Sequence, residues 1–395
     1  MTTLHLKSGL ESRIKNGHRW AFAGEISESL KELKPGDEVA LCEARGALLG
    51  RGYVNPHSLI AVRLLTSGEE PFDAGLVRRR IEAAIAYRRR LLPEEDAVRL
   101  IYSESDGLPG LIVDKFGDQL VMQVLTAGME KRLGDVVEAL TDSLKPAGIY
   151  FKGKSPFRKL EGLVEEDRQI MGVTPDNVPF KDGDAIFTAH PKEGQKSGYY
   201  LDQRFNRRQL ATCFSIEGLR PARVLDLYSY TGGWGITALM AGAKEAVMVD
   251  SSAKAIAWGK EDAGNNGVDQ RAIFIEADVE EFLKDAAKSN TKWDVVVVDP
   301  PALIPNRQAV QAGIGAYTAI NRAALRVVAP GGLLVTCSCS HLMTREKHLE
   351  VIGRAAFQEG KRVRIVAAGG HPPDHPILPG HPESEYLKCW IVGVE

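Results

Sequence analysis

Cysteine is scarce in this chain: five occur in 395 residues, at positions 42, 213, 337, 339 and 389. An odd, scattered set with no paired CxxC excludes a disulfide-stapled fold and a four-cysteine zinc site. Long apolar runs are missing too, since none approaches the roughly 18 residues that span a bilayer. The opening Met1-Thr2-Thr3-Leu4-His5 lacks the basic-then-apolar order of a secretory leader, so a cytoplasmic setting is the expectation. Nor does charge of either sign prevail. The net charge is −2, so any contact with nucleic acid must use positive charge gathered locally. What is present is an ordinary globular mixture, 44% hydrophobic and 26% charged, long enough for two or three domains and without internal repeats.

Residues 1 to 70 consist of short apolar runs between turn signals. The runs are 38–42, 47–54 and 59–65, with breakers at Pro35-Gly36-Asp37 and Asn55-Pro56. This pattern predicts a small β-barrel. A helix is predicted over 74–92, with Val77, Ile81, Ala84 and Ile85 as its apolar stripe. It carries Arg78-Arg79-Arg80 and Arg88-Arg89-Arg90. At about 100° per residue Arg78 and Arg89 share a face, either a solvated basic surface or a phosphate-contacting ridge. Strands at 111–114 and 119–125, a helix at 131–144 and a strand at 148–152 predict a small central α/β domain. An Asp182-Gly183 step between apolar runs at 178–187 predicts a hairpin.

From about Arg220 strands and helices alternate. Strands are predicted at 223–227, 245–250, 272–275, 293–299 and 333–338, with helices at 234–241, 253–265, 279–287, 317–328 and 345–359. That rhythm calls for a parallel, doubly wound, Rossmann-like sheet, whose ligands lie beyond the carboxyl ends of the strands. The division expected is therefore 1–70, 71–188 and 189–395.

The first of these strands leads into Asp226-Leu227-Tyr228-Ser229-Tyr230-Thr231-Gly232-Gly233. The second ends at Asp250, followed by Ser251, and the third leads to Glu276-Ala277-Asp278. Glycines let a backbone approach a ligand closely. Asp250 occupies the ribose-gripping position, and Asp278 is placed to accept from an adenine amino group. Gly233-Trp234-Gly235-Ile236-Thr237-Ala238 also fits a dinucleotide fingerprint, which keeps NAD as the alternative. Asp226 opposes a pyrophosphate but suits the cationic amino-acid end of S-adenosylmethionine, which is the cofactor expected. Tyr230 either packs on the adenine or fills space beneath the loop.

The fourth strand ends in Asp299-Pro300-Pro301, where fixed backbone aims the acid into the crevice. That points to methyl transfer to a base or similar planar group. The fifth ends in Cys337-Ser338-Cys339-Ser340, with both thiols on one face by alternation. A thiol here has a chemical use if the acceptor is carbon 5 of a pyrimidine, which becomes nucleophilic after thiolate attack at carbon 6. Methylation of a guanine nitrogen needs no thiol.

Taken together, Ser103-Glu104-Ser105-Asp106-Gly107-Leu108-Pro109-Gly110, Gly198-Tyr199-Tyr200-Leu201-Asp202-Gln203-Arg204, Tyr228 to Gly233, Asp299-Pro300-Pro301 and Ser338-Cys339-Ser340 give the chain its resemblance. It resembles, over essentially its whole length, the RlmI-like family of bacterial 23S rRNA 5-methylcytosine methyltransferases. The resemblance implies an N-terminal PUA domain that binds RNA, with Lys7, Arg13 and Arg19 joining Arg78 and Arg89 as candidate contacts. It implies that Tyr199, Tyr200, Gln203 and Arg204 close over the cofactor, that Cys339 is the nucleophile and that Asp299 orients the base. Asp226, Tyr228, Tyr230, Gly232, Asp250, Ser251, Asp278 and Asp299 are then the remaining cofactor positions. Ala302 departs from the Lys the family commonly has after Asp-Pro-Pro, and Cys337 replaces an aromatic residue. The partners expected are 23S rRNA or a large-subunit precursor and, at most, a second copy of the chain, with no membrane and no metal. The alternatives are guanine methylation and a non-catalytic assembly factor. In the loop from His371 to Pro382, Asp374 and His375 are candidates for bordering the base pocket. Asn206, Arg207 and Arg208 suit either a phosphate contact or a solvated helix start.

Overall fold

The structure, a computed structural model, describes residues 1–215 and 223–395. The onset of strand-helix alternation near Arg220 lies outside the described residues. The chain forms two compact units, each assembled from several stretches. The first comprises Met1–Lys181, Ala189–Leu201 and Pro373–Ser384, and the second Asp182–Thr188, Asp202–Pro372 and Glu385–Glu395. The Asp-Gly signal gives the ribbon Val178–Asp182 with Ala185–Ala189, turning at Gly183, whose φ of +64° suits glycine.

The first unit holds two five-stranded sheets. One runs in the order Thr2–His5, Asp37–Cys42, Leu48–Val54, Ile60–Leu64, Trp20–Phe22. Its core gathers Leu4, Val39, Leu41, Val54, Val62 and Leu64, so that alternate residues of successive strands meet on one face. The strands at 2–5 and 20–22 are too short to display a period, and the sequence reading omits them. The other sheet runs Arg168–Gly172, Gly148–Phe151, Gln119–Val124, Leu111–Phe116, Ala97–Tyr102. Helix Ala74–Leu91 starts at Asp73, whose carboxylate accepts from Leu76 N at 2.8 Å. It buries the expected stripe and also Arg88, which grips Asp106 at 2.8 Å and the carbonyls of Arg99 and Asp374 at 2.9 Å.

The second unit carries one seven-stranded sheet: β1 Arg223–Leu227, β2 Glu245–Asp250, β3 Ala272–Glu276, β4 Trp293–Val298, β5 Val328–Ser338, β6 Val363–Gly369 and β7 Lys388–Val394. The spatial order is β3-β2-β1-β4-β5-β7-β6. The strands β3, β2, β1, β4 and β5 are parallel, and β7 runs antiparallel between β5 and β6. Val295 to Val298 are all at most 1% exposed, because helices cover both faces and leave no polar side for alternation. Strand order reverses between β1 and β4, which places a crevice beyond their carboxyl ends.

Helix starts follow their caps: Ser252, Asp278 and Thr344 each accept from main-chain N–H groups at the heads of Ala253–Asn265, Val279–Lys288 and Arg345–Gln358. The helix expected from 317 begins at Val310. Gly313 and Gly315 obscure its first turns, yet Gly313 is required there, since a Cβ would lie 2.4 Å from Ile304 Cγ1. The antiparallel strands β6 and β7 are additions to the five that the sequence indicates.

Candidate active site

The loop leaving β1 is built from unusual backbone. Tyr228 (φ +58°), Tyr230 (φ +50°) and Gly232 (φ +79°) are left-handed within five residues. Two of them carry side chains, at a cost of roughly 1–3 kcal/mol each. The conformation is held by Ser229 N donating to Val249 O at 3.1 Å and Gly232 N to Ser229 O at 2.8 Å. Tyr230 N donates to Asp250 Oδ2 at 2.9 Å, while Asp250 Oδ1 accepts from Ser252 N at 2.9 Å. Asp250 thus fastens the β1 loop to the end of β2. Gly235 is needed for close packing, because a Cβ there would lie 2.4 Å from Met248 Sδ.

Asp226 is fully buried. Its Oδ2 accepts from Gly235 N at 3.0 Å, and its Oδ1 has no hydrogen-bond partner among the described residues. Burial pushes its carboxyl up to about 8, and the charges of Asp299 and Asp250 add to the shift. A dry carboxyl with one open oxygen fits a ligand that brings its own cation, such as the ammonium of S-adenosylmethionine. Asp278 is exposed. Its Oδ1 caps the following helix through Glu280 N at 2.9 Å and Glu281 N at 3.0 Å. Tyr228 beside it is raised to about 12 by burial, then by the Glu280 and Asp278 charges. Ser251 is exposed, and Tyr230 meets Trp258 edge-on with ring centres 6.5 Å apart.

Asp299, directly after β4, is held from two sides. Gln203 Nε2 donates to both its oxygens at 2.9 Å, and Trp234 Nε1 donates to Oδ2 at 3.1 Å. Asn206 in turn donates to Gln203 Oε1 at 2.7 Å and exchanges hydrogen bonds with Gly370. The positioning roles of Trp234 and Asn206 escape the sequence reading; Asn206 lies one helical turn beyond Gln203, which is the signal that could have found it. Arg204 and Arg207 are buried rather than solvated. Arg207 pairs with Asp182 at 2.8 Å, and Arg208 engages the same carboxylate. Tyr200 belongs to the first unit, where its hydroxyl donates to Gln195.

Cys339 follows β5 and is half-buried, with Sγ 3.8 Å from Pro300 O of the Asp-Pro-Pro turn. The serines on either side are anchored: Ser338 Oγ and Ser340 Oγ each lie 3.0 Å from Tyr317 OH, and Ile304 N donates to Ser340 Oγ at 3.2 Å. Cys337 is fully buried opposite Cys389 in the ladder, and burial followed by that neighbour raises its thiol well above the ordinary range. It is a core residue. Ala302 is exposed.

The remaining candidates lie in the first unit. Lys7 is exposed and donates to Gly24 O at 2.8 Å, Arg13 binds Glu25 at 2.7 Å, and Arg19 is half-buried. Arg78 meets Glu138 at 3.0 Å and Asp142 at 2.8 Å, whereas Arg89 is exposed. Asp374 and His375, expected at the rim of a base pocket, are instead at most 1% exposed in this unit's interior. Asp374 Oδ2 there accepts from Arg99 N at 3.0 Å. They are framework residues, because a carboxylate that satisfies a buried main-chain N–H has little freedom to serve a ligand.

Residues 4–67 match a PUA-like domain family, and residues 184–380 match an S-adenosylmethionine-dependent methyltransferase family. Among solved structures, a provisionally assigned methyltransferase complexed with SAH has a TM-score of 0.86 at 20% identity over 100% of both chains. A provisionally assigned SAM-dependent methyltransferase from Streptococcus mutans has 0.85 at 19% over the same full coverage. These two share the fold. The ribosomal RNA large subunit methyltransferase I of Salmonella arizonae is 34% identical over 99% of this chain and 97% of its own. The Vibrio cholerae protein of that name is 34% identical over 99% of both. With such identity along its whole length, this S-adenosylmethionine-dependent methyltransferase chain belongs to the ribosomal RNA large subunit methyltransferase I family.

Proposed function

We propose that this enzyme methylates carbon 5 of a cytosine in 23S rRNA through a covalent adduct at Cys339. The observation that carries the reading is a half-buried thiol at the end of β5, 3.8 Å from the Asp-Pro-Pro turn after β4. S-adenosylmethionine supplies an electrophilic methyl group at the crevice. Asp226 would hold its ammonium, with Asp250, Ser251 and Asp278 lining the nucleoside end and Tyr228, Tyr230 and Gly232 shaping the loop beneath. Gln203, itself steadied by Asn206, and Trp234 fix the Asp299 carboxylate so that it can orient the base. Tyr200 and Arg204 belong to the segment proposed to close the site. The Cys339 thiolate attacks carbon 6, which loads electron density onto carbon 5. After methylation a base removes the carbon-5 proton, and expulsion of the thiolate restores the ring.

The three-part division at 70 and 188 is proposed as an RNA-binding PUA-like domain, a central α/β domain and the methyltransferase. Lys7, Arg13, Arg19, Arg78 and Arg89 would serve the RNA backbone. Incubating the protein with labelled cofactor and unmodified rRNA, then identifying the nucleoside by mass spectrometry, tests the reading. Cys339→Ala should lose at least about a thousandfold in methylation while binding S-adenosylmethionine normally. Full activity in that variant, or a labelled guanine, would sink the covalent mechanism.

A further inference from the structure

Lys388 opens β7 and faces Ser338 across the antiparallel ladder. It is 2% exposed. Lysine is rarely so buried unless a carboxylate lies against it. Here the ammonium donates instead to two main-chain carbonyls, Ser340 O at 2.7 Å and Tyr386 O at 2.8 Å. Among the described residues it makes no ion pair, and Glu385, the acid whose charge it feels most, is engaged by Arg345 at 3.5 Å. Among the described residues this cation is therefore kept in a dry place with no carboxylate hydrogen-bonded to it, and burial pulls its pKa down to about 8. The groups whose charges it feels are Glu385, Cys339 and Arg345, and its bond to Ser340 O ties it to the residue directly after Cys339. His348, on the helix that begins at Arg345, is lowered to about 3 by burial and then by the Lys388 and Arg345 charges. Of these groups, only Cys339 is required as an anion by the proposed chemistry.

We propose that Lys388 is a positioning residue for methyl transfer: its ammonium is the counter-ion of the Cys339 thiolate, and its grip on the Ser340 carbonyl fixes the turn that carries the sulfur. This inference rests on the reading of Cys339 as the nucleophile. On ionisation the S–H bond breaks, its electron pair stays on sulfur and the proton leaves to water. When carbon 6 is attacked that pair becomes the C–S bond, and the negative charge moves into the ring. When the bond later breaks, the pair returns to sulfur beside the same waiting cation. One fixed charge thus favours both the entry and the exit of the covalent cycle.

Alkylation of the full-length protein with iodoacetamide, from about pH 6 to about pH 10 and read peptide by peptide in a mass spectrometer, gives the ionisation midpoint of Cys339 without a methylation assay. The unmodified protein should show a midpoint at least about one unit below the ~8.5 of a free cysteine. A midpoint at or above that value overturns the inference, and this arm decides even if variants fail to fold. Lys388→Met should slow alkylation of Cys339 about tenfold at neutral pH, and Lys388→Arg should restore most of the rate. The peptides of buried Cys42 and Cys213 should be unaffected. An unchanged rate in folded Lys388→Met, or no recovery with Arg, overturns the pairing. Methylation surviving in Cys339→Ala would instead remove the nucleophile, leaving the alkylation profile to judge Lys388 separately.

Discussion

Burial gives Asp226 an ionisation unlike that of an ordinary carboxyl. Asp226 in the unfolded chain ionises near 3.8, and in the folded protein burial delays this to about 8. Between those values the folded form holds a proton that the unfolded form has released, so stability falls as pH rises through the window and levels off above it. The cationic cofactor proposed to bind Asp226 prefers the ionised carboxyl, so its affinity should drop by up to about tenfold per pH unit as the solution is taken from pH 8 down toward pH 6. Asp226→Asn should flatten that dependence and weaken binding at pH 8 by about tenfold or more. Titration calorimetry across the range checks both, and a pH-independent affinity in the unmodified protein would refute the assignment. The acid is legible in the sequence because it stands before a glycine-bearing loop at a strand end. Its half-satisfied state is not, since that depends on Gly235 reaching one oxygen and no hydrogen-bond partner among the described residues reaching the other.

The β1 loop is the element in which left-handed backbone and the proposed cofactor site coincide. Gly232 combines a φ of +79° with a Cβ direction only 3.0 Å from Phe274 Cε1. Gly232→Ala should therefore cost about 1–2 kcal/mol in urea unfolding, with a loss of cofactor affinity beyond what that destabilisation explains. Equal stability to the unmodified protein would show that the loop tolerates a side chain there. Elements with local signals were readable: the five parallel strands show as apolar runs, and the capped helices at 253, 279 and 345 start where Ser252, Asp278 and Thr344 stand. Others depended on distant partners. Arg88 looks like part of a basic surface until Asp106 and two carbonyls surround it, and β6 pairs with β7 although much of it is solvent-facing. Lys388 gave no sequence signal, because an isolated lysine in an apolar strand resembles a solvated edge residue.

At the scale of the whole chain, sequence distance and structural membership part company. Asp374 sits within the first unit although almost three hundred residues separate it from Arg88 and Arg99, which it serves through its carbonyl and carboxylate. Asp374→Ala should strand the buried Arg99 N–H and cost about 1–3 kcal/mol, visible as a lower denaturation midpoint. A midpoint within experimental error would mean that the segment Pro373–Ser384 contributes little to the fold. A reading that proceeds along the chain assigns that segment to the last domain, because nothing in its proline and histidine content announces an earlier partner.

The chain passes from one unit to the other after Lys181, Thr188, Leu201, Pro372 and Ser384. No single cut in the backbone therefore separates the two as intact pieces. Recombination at one crossover cannot exchange either unit as a cassette.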